Sequence, residues 1–138
     1  MNQLSINVNV KIIFRAGGKL LFFRLKDGSS QLPGGHMEGE EQPLDTLRRE
    51  LKEEMNYTLD REPTLLNVWT YVDKSKNIHR LTIAYVLDLP AQQDFSWTGH
   101  DGEEFDSFMW IRPEEIDQQN FNPRYREVME QAARAQRK

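Results

Sequence analysis

Apolar and polar residues alternate from Ile6 to Phe14, with Ile6, Val8, Val10 and Ile12 on one side and Asn7, Asn9 and Lys11 on the other. A period of two predicts a strand with one face on a core. Ala16-Gly17-Gly18 turns the chain, and Leu20 to Leu25 predicts a second strand in a hairpin with the first. The period then changes: Leu44, Leu47, Leu51 and Met55 recur at i, i+3, i+7 and i+11, the apolar stripe of an amphipathic helix. Leu65 to Val72 and Ile78 to Leu89 predict two further strands around the polar turn Asp73 to Asn77. A short strand at Phe108 to Ile111 runs into a brief helical turn at Pro113-Glu114-Glu115-Ile116, and Asn122-Pro123 opens a last helix through about Gln136. The expected fold is α/β: a mixed sheet with helices on both sides, one domain over residues 1–138.

The first helix carries an unusual load of acid. Glu50, Glu53 and Glu54 stand at i, i+3 and i+4, so they gather on one face beside the apolar stripe. Glu53 and Glu54 fall in the last turn, where the helix dipole disfavours negative charge, and Glu50 and Glu54 are like charges one turn apart. An acidic amphipathic helix with Arg48, Arg49 and Lys52 interspersed is by itself most often a solvated surface. The segment before it changes that reading. Leu32-Pro33-Gly34-Gly35 predicts a tight turn whose missing side chains let backbone approach a ligand, and Pro43 and Asp45 suit the helix start. Arg49 is within one turn of both Asp45 and Glu53. Clustered carboxylate oxygens are the donors that Mg²⁺ and Mn²⁺ prefer.

From Gly35 to Tyr57 the chain closely resembles the Nudix signature, Gly-x5-Glu-x7-Arg-Glu-U-x-Glu-Glu-x-Gly-U, where U is a bulky aliphatic residue. Gly35, Glu41, Arg49, Glu50, Leu51, Glu53 and Glu54 match in register. Asn56 stands at the family's glycine, Tyr57 at its last aliphatic position, and Glu40 where glycine commonly precedes the first glutamate. Asn is the second choice for a left-handed helix end, so that turn is expected to survive. No carboxylate of the core is lost.

The resemblance implies a Nudix α/β/α sandwich and a MutT-related pyrophosphohydrolase, cleaving a nucleoside diphosphate linked to another moiety with Mg²⁺ or Mn²⁺. It implies Glu50 and Glu54 as direct metal ligands, Glu53 as a ligand directly or through water, and the Gly35 carbonyl completing the shell. Glu50 is also the expected base, Arg49 the residue that orients the carboxylates, and Glu41 a supporting acid. Such proteins often draw one more carboxylate from a distant loop. Here Gly99-His100-Asp101-Gly102-Glu103-Glu104 offers Glu103 or Glu104, with a solvated acidic turn equally consistent. The competing class is a Nudix-fold module that binds a nucleotide without turnover.

Substrate contacts have weaker signals. Arg24 and Lys26 precede the Pro-Gly-Gly turn, and His36 follows it, so Arg24 and His36 are the expected phosphate contacts. His79 and His100 show no metal-ligand spacing. Trp69, Tyr71, Phe95 and Trp97 are candidates to stack on a base, Phe95 and Trp97 the more so for their polar loop, while Trp110 reads as core.

A length of 138 residues with 38% apolar content suffices for one core. The net charge of −4 argues against binding a nucleic-acid polymer through its backbone. No cysteine is present, which removes disulfides and thiolate metal sites. With no leader pattern and no apolar run of about 18 residues, the chain is expected to be soluble, unprocessed and cytoplasmic, a monomer or homodimer without membrane contact. The absence of a long N-terminal extension favours a nucleoside triphosphate, giving monophosphate and pyrophosphate, over a sugar nucleotide.

Overall fold

The computed structural model describes residues 5–100 and 102–136; Asp101 of the acidic loop lies outside them. Strand β1 (Ile6–Ala16) turns at Gly17-Gly18 into β2 (Lys19–Leu25), followed by β3 (Ser30–Gln31), β4 (Gly34–His36) and helix α1 (Pro43–Met55). Next come β5 (Thr64–Asp73), β6 (Ile78–Asp88), β7 (Phe105–Ile111), a 3₁₀ turn (Pro113–Gln118) and helix α2 (Pro123–Arg134).

The path through the sheet is β3-β2-β1-β6-β5, with β4 added to β1 and β7 to β2. Strands β1 and β6 run parallel from Ile6 opposite His79 to Arg15 opposite Asp88; the other pairings are antiparallel. The hairpin pairs β1 with β2 only at Arg15 opposite Leu20 and Ala16 opposite Lys19, so the strands diverge and β4 takes the vacated edge of β1. Both faces of the central strands are covered. Val10, Ile12 and Phe14 pack with Leu47, Leu51 and Met55 of α1, while Ile13, Leu20 and Phe22 pack with Tyr125, Val128 and Met129 of α2. This double burial is why alternation in β1 gives way to the run Ile12-Ile13-Phe14.

The strands foreseen from periodicity are present, β7 beginning three residues earlier than the sequence indicated and α2 ending at Arg134. Strands β3 and β4 were not foreseen. Gly34 and Gly35, read as the end of a turn, pair with Lys11 and Val10, and His36 after them pairs with Asn9. Glycine has low strand propensity, so pattern gives no signal. Gly34 has φ 129°, and a Cβ there would collide with the Val10 carbonyl.

Candidate active site

Strand β4 and helix α1 are locked together through the acids. The Gly34 N–H donates to Glu54 Oε1 at 2.9 Å. Gly35 lies against the Glu50 carboxylate, which fills the space a Cβ would need. Glycine at 35 is therefore what lets Glu50 turn inward. At the far end of α1, Asn56 adopts the left-handed conformation (φ 52°) and its N–H bonds the Lys52 carbonyl at 3.1 Å, so asparagine performs the glycine's turn. Tyr57 packs edge-on to Phe14 with centroids 5.0 Å apart, an aromatic filling an aliphatic position.

Arg49 is the hub. Its Nε and Nη2 donate to the two oxygens of Glu41 at 2.7 and 3.0 Å, its Nη1 to Glu50 Oε1 at 2.9 Å, and its Nη2 to the His36 carbonyl at 2.9 Å. Glu53 is 3.6 Å away. Asp45 is not its partner; that carboxylate accepts from the Gln42 N–H and pairs with Arg48. Hydrogen bonds from Arg49 hold Glu41 well below the usual carboxylate range, at about 2. Thr46, buried on α1, also donates to Glu41 at 2.9 Å.

The deeper acids respond in the opposite direction. Burial pushes the Glu54 carboxyl up to about 7, and repulsion from Glu50 and Glu53 adds to it, while Lys11 and the Gly34 N–H offset part. Burial raises Glu50 as well, against the pull of Arg49. Desolvation is the main cause at both carboxyls, with repulsion between the acids a smaller one.

These acids open on a groove of about 490 Å³ lined by Glu50, Glu53, Glu54, Glu104, Trp97 and His100 among others. The 97–100 loop is tied to the end of α1: Thr98 donates from its N–H to the Glu54 carbonyl and from its hydroxyl to the Glu53 carbonyl, both at 2.7 Å. Trp97 forms the opposite wall, stacked on Phe105 at 5.0 Å and bonded from Nε1 to the His100 carbonyl. The two carbonyls that the C-terminal acids leave unpaired in the helix thus anchor the facing loop.

The structure gathers Gly35, Arg49, Glu50, Glu53 and Glu54, and it places Glu104 rather than Glu103 on the groove. Arg24 is elsewhere: Phe23 and Leu25 line the groove, and strand alternation turns Arg24 to the other face, where it donates to Gln119 at 2.9 Å. Its expected phosphate contact is therefore not placed in the groove. His36 is exposed on β4, its carbonyl held by Arg49. Of the aromatic candidates only Trp97 lines the groove. Phe95 packs on Phe14 and Tyr57, Trp69 meets Tyr125, and the Trp110 indole bonds the Gln93 carbonyl while its ring packs on the α1-side core. Sequence reading missed Lys11, whose Nζ lies 3.5 Å from the Gly34 carbonyl and whose charge bears on Glu50 and Glu54. Its partners are set by pairing between distant segments, which no local pattern encodes.

Among the described residues no three His, Cys, Asp or Glu side chains converge at metal-ligand distance. The donor set nonetheless fits a hard divalent cation. It consists of oxygens alone, Glu53 is free to swing from its exposed position, and half-buried Glu54 stands beside it on the same groove.

A family model for the NUDIX domain matches residues 4–132. The chain belongs to the Nudix family, and its class of activity is hydrolysis of phosphoric anhydrides. Among solved structures it is similar to a MutT NUDIX hydrolase from Burkholderia pseudomallei, with TM-score 0.75 and 22% identity over 92% of this chain and 98% of that one. The NUDIX domain of Shewanella oneidensis NrtR, complexed with ADP ribose, gives TM-score 0.69 at 16% identity over 96% and 88% of the two chains. An Ap4A hydrolase from C. elegans gives 0.68 at 16% over 93% and 94%. No curated protein matches. No helix among the described residues is long and apolar enough to cross a membrane.

Proposed function

We propose that the protein hydrolyses the diphosphate bond of a nucleoside diphosphate linked to another moiety, a nucleoside triphosphate above all, releasing the monophosphate and pyrophosphate. The observation that carries this reading is the placing of Glu50, Glu53, Glu54 and Glu104 along one groove, with Glu54 half-buried, raised to about 7 and, among the described residues, accepting one hydrogen bond, from the Gly34 N–H at 2.9 Å. Mg²⁺ or Mn²⁺ held by Glu50, Glu53, Glu54 and the Gly35 carbonyl would neutralise the phosphates and stabilise charge on the phosphoryl oxygens. Glu104 adds a carboxylate from the opposite wall.

The chain's own groups do the rest. Arg49, fixed by Glu41 and the His36 carbonyl, holds Glu50 from one side while Gly35 leaves it room on the other. Glu50, with its pKa raised by burial, takes the proton of a water as that oxygen attacks phosphorus, and the bridging P–O bond breaks with its electron pair leaving on the departing fragment, so that monophosphate and pyrophosphate separate. Glu53 completes the set from the helix surface. His36, the last residue of β4, lends its carbonyl to Arg49 and does not itself line the groove.

The test is release of phosphate and pyrophosphate from a panel of nucleoside triphosphates, sugar nucleotides and dinucleoside polyphosphates, with Mg²⁺, with Mn²⁺ and with chelator. Chelator-sensitive turnover abolished by Glu54→Gln is expected. No turnover across the panel, with nucleotide and metal still raising Tm, would establish the binding module instead.

A further inference from the structure

The acids of the groove belong to two sides of the molecule that are joined only weakly there. One side is α1 with β4, held together by the Gly34 N–H on Glu54 and by Arg49 on the His36 carbonyl. Strand β4 pairs with β1 and not with β2. The other side is β2 with β3 and β7, from which Phe23, Leu25 and Gln31 line the groove. Glu104 belongs to this second side: its carbonyl accepts from the Lys26 N–H at 2.8 Å, and Phe105 after it pairs with Leu25. Strands β1 and β2 pair only near their turn, Arg15 with Leu20 and Ala16 with Lys19, so that ladder does not fix how far apart the two sides stand at the groove. A carboxylate set divided between them needs a separate support.

Residues 97–99 span the gap. On the β2 side Trp97 stacks on Phe105 at 5.0 Å and meets Phe23 at 5.3 Å. On the α1 side Thr98 donates from its N–H to the Glu54 carbonyl and from its hydroxyl to the Glu53 carbonyl, so the peptide groups held are those of two of the acids. Among the described residues no other hydrogen bond joins this loop to α1. Gly99 permits the approach, since a Cβ there would stand 3.3 Å from Glu54 Cα and 3.2 Å from Trp97 Cζ2. Thr98 is itself exposed, so its side chain fills no core, and its hydroxyl is spent on the helix end.

We propose that Thr98 is a positioning residue: its two hydrogen bonds set the separation of Glu53 and Glu54 on α1 from Glu104 on the facing wall, and with it the affinity of the groove for a divalent cation. Its effect on turnover rests on the hydrolase reading, whereas its effect on cation binding is measured apart from that reading. Thr98 acts through the backbone of the acids and stands outside the bond-breaking set.

The test is a double-mutant cycle of Thr98→Val, which removes the hydroxyl donor at nearly constant size, with Glu104→Gln. In melting experiments without substrate, each single variant should need about five times more Mg²⁺ than wild type for the half-maximal rise in Tm, with the double variant within twofold of either single. Turnover at saturating nucleotide and Mg²⁺ should fall about tenfold in each single variant, with the same lack of additivity. Thr98→Ser keeps the hydroxyl and should remain within twofold of wild type in both measurements. Gly99→Ala keeps it too but wedges the loop away from α1, and should resemble Thr98→Val. A lower metal-free Tm in Thr98→Val with an unchanged Mg²⁺ titration would mark a merely structural bond and overturn the proposal. A double variant at the product of the two single effects, or Glu104→Gln without effect, would overturn it as well. If no nucleotide is turned over but the Mg²⁺ titrations shift as expected, the hydrolase reading fails and the positioning role stands. If Mg²⁺ does not raise the wild-type Tm, the positioning role falls whatever the turnover. Should Thr98→Val not fold, Gly99→Ala takes its place in the cycle.

Discussion

The C-terminal ends of the two helices are built on opposite electrostatic plans. At the end of α2, Arg15 reaches from β1 and spends its donors on Asp88 (2.7 and 2.9 Å) and on the carbonyls of Ala132, Ala135 and Gln136. One buried cation meets one carboxylate and the negative end of a helix dipole, leaving a closed, balanced unit. At the end of α1 the helix carries Glu53 and Glu54 where the dipole already disfavours them, and Arg49 stands one turn back, committed to Glu41 and Glu50. The first end contributes stability by being complete. The second sets acids against the dipole and against one another, a cost that the proposed divalent ion would offset.

The sharpest way to break that contrast is to empty the balanced end. Arg15→Met should destabilise by about 3–5 kcal/mol, since Asp88 and three carbonyls lose their partner. Denaturant unfolding would show this, while turnover per folded molecule should stay within twofold. The next effect belongs to the other end. Glu54→Gln and Glu53→Gln should each lower turnover at least tenfold with the fold intact by circular dichroism, and full activity in both would refute the metal assignment.

A stability measurement sharpens the same comparison. The Glu54 carboxyl lies near 7 in the folded protein against an ordinary 4.5. The native state therefore binds more protons over that window, and stability falls as pH rises from about 4.5 to about 7. Metal-free Glu54→Gln should accordingly melt several degrees above wild type at pH 8 and close to it at pH 4, and millimolar Mg²⁺ should raise the wild-type Tm while leaving the variant unmoved. Glu41 works with the reverse sign. Its carboxyl is depressed to about 2, so its contribution is present above 4.5 and is lost as pH falls toward 2. Glu41→Gln should lower kcat severalfold by loosening Arg49. The smallest effect is expected at the cap, where Asn56→Gly relieves a left-handed residue and should add about half a kcal/mol without touching activity.

How much of this was legible in the chain depended on whether a residue's partners are local. The acids of α1, the apolar stripe behind them and the strand alternation of β1 all repeat within a few residues, and periodicity exposes them. The left-handed turn at Asn56 was readable from residue type. Strand β4 was hidden because glycines carry no pattern, and their meaning lies in the Val10 carbonyl and the Glu50 carboxylate that press on them. Arg24 and Phe23 differ by one position along β2, and only the sheet's orientation decides which one faces the groove. Lys11 gave no signal at all, because the antiparallel pairing of β1 with β4 brings Gly34 to it from a separate segment.

The parallel pairing of β1 with β6 has a kinetic consequence. Arg15 and Asp88 are 73 residues apart, and the whole β1–β6 ladder shares that separation, so forming it requires closing a long loop before any contact rewards the closure. Helix α1 and the β1–β2 hairpin have local contacts, whereas the wall that faces the acids follows β6 in the chain and is expected to dock after them. The folding rate should therefore respond strongly to substitutions in the central β1–β6 pairs and weakly to those around the carboxylates, and hydrogen exchange during refolding is expected to protect the acidic helix before the strands that complete its groove.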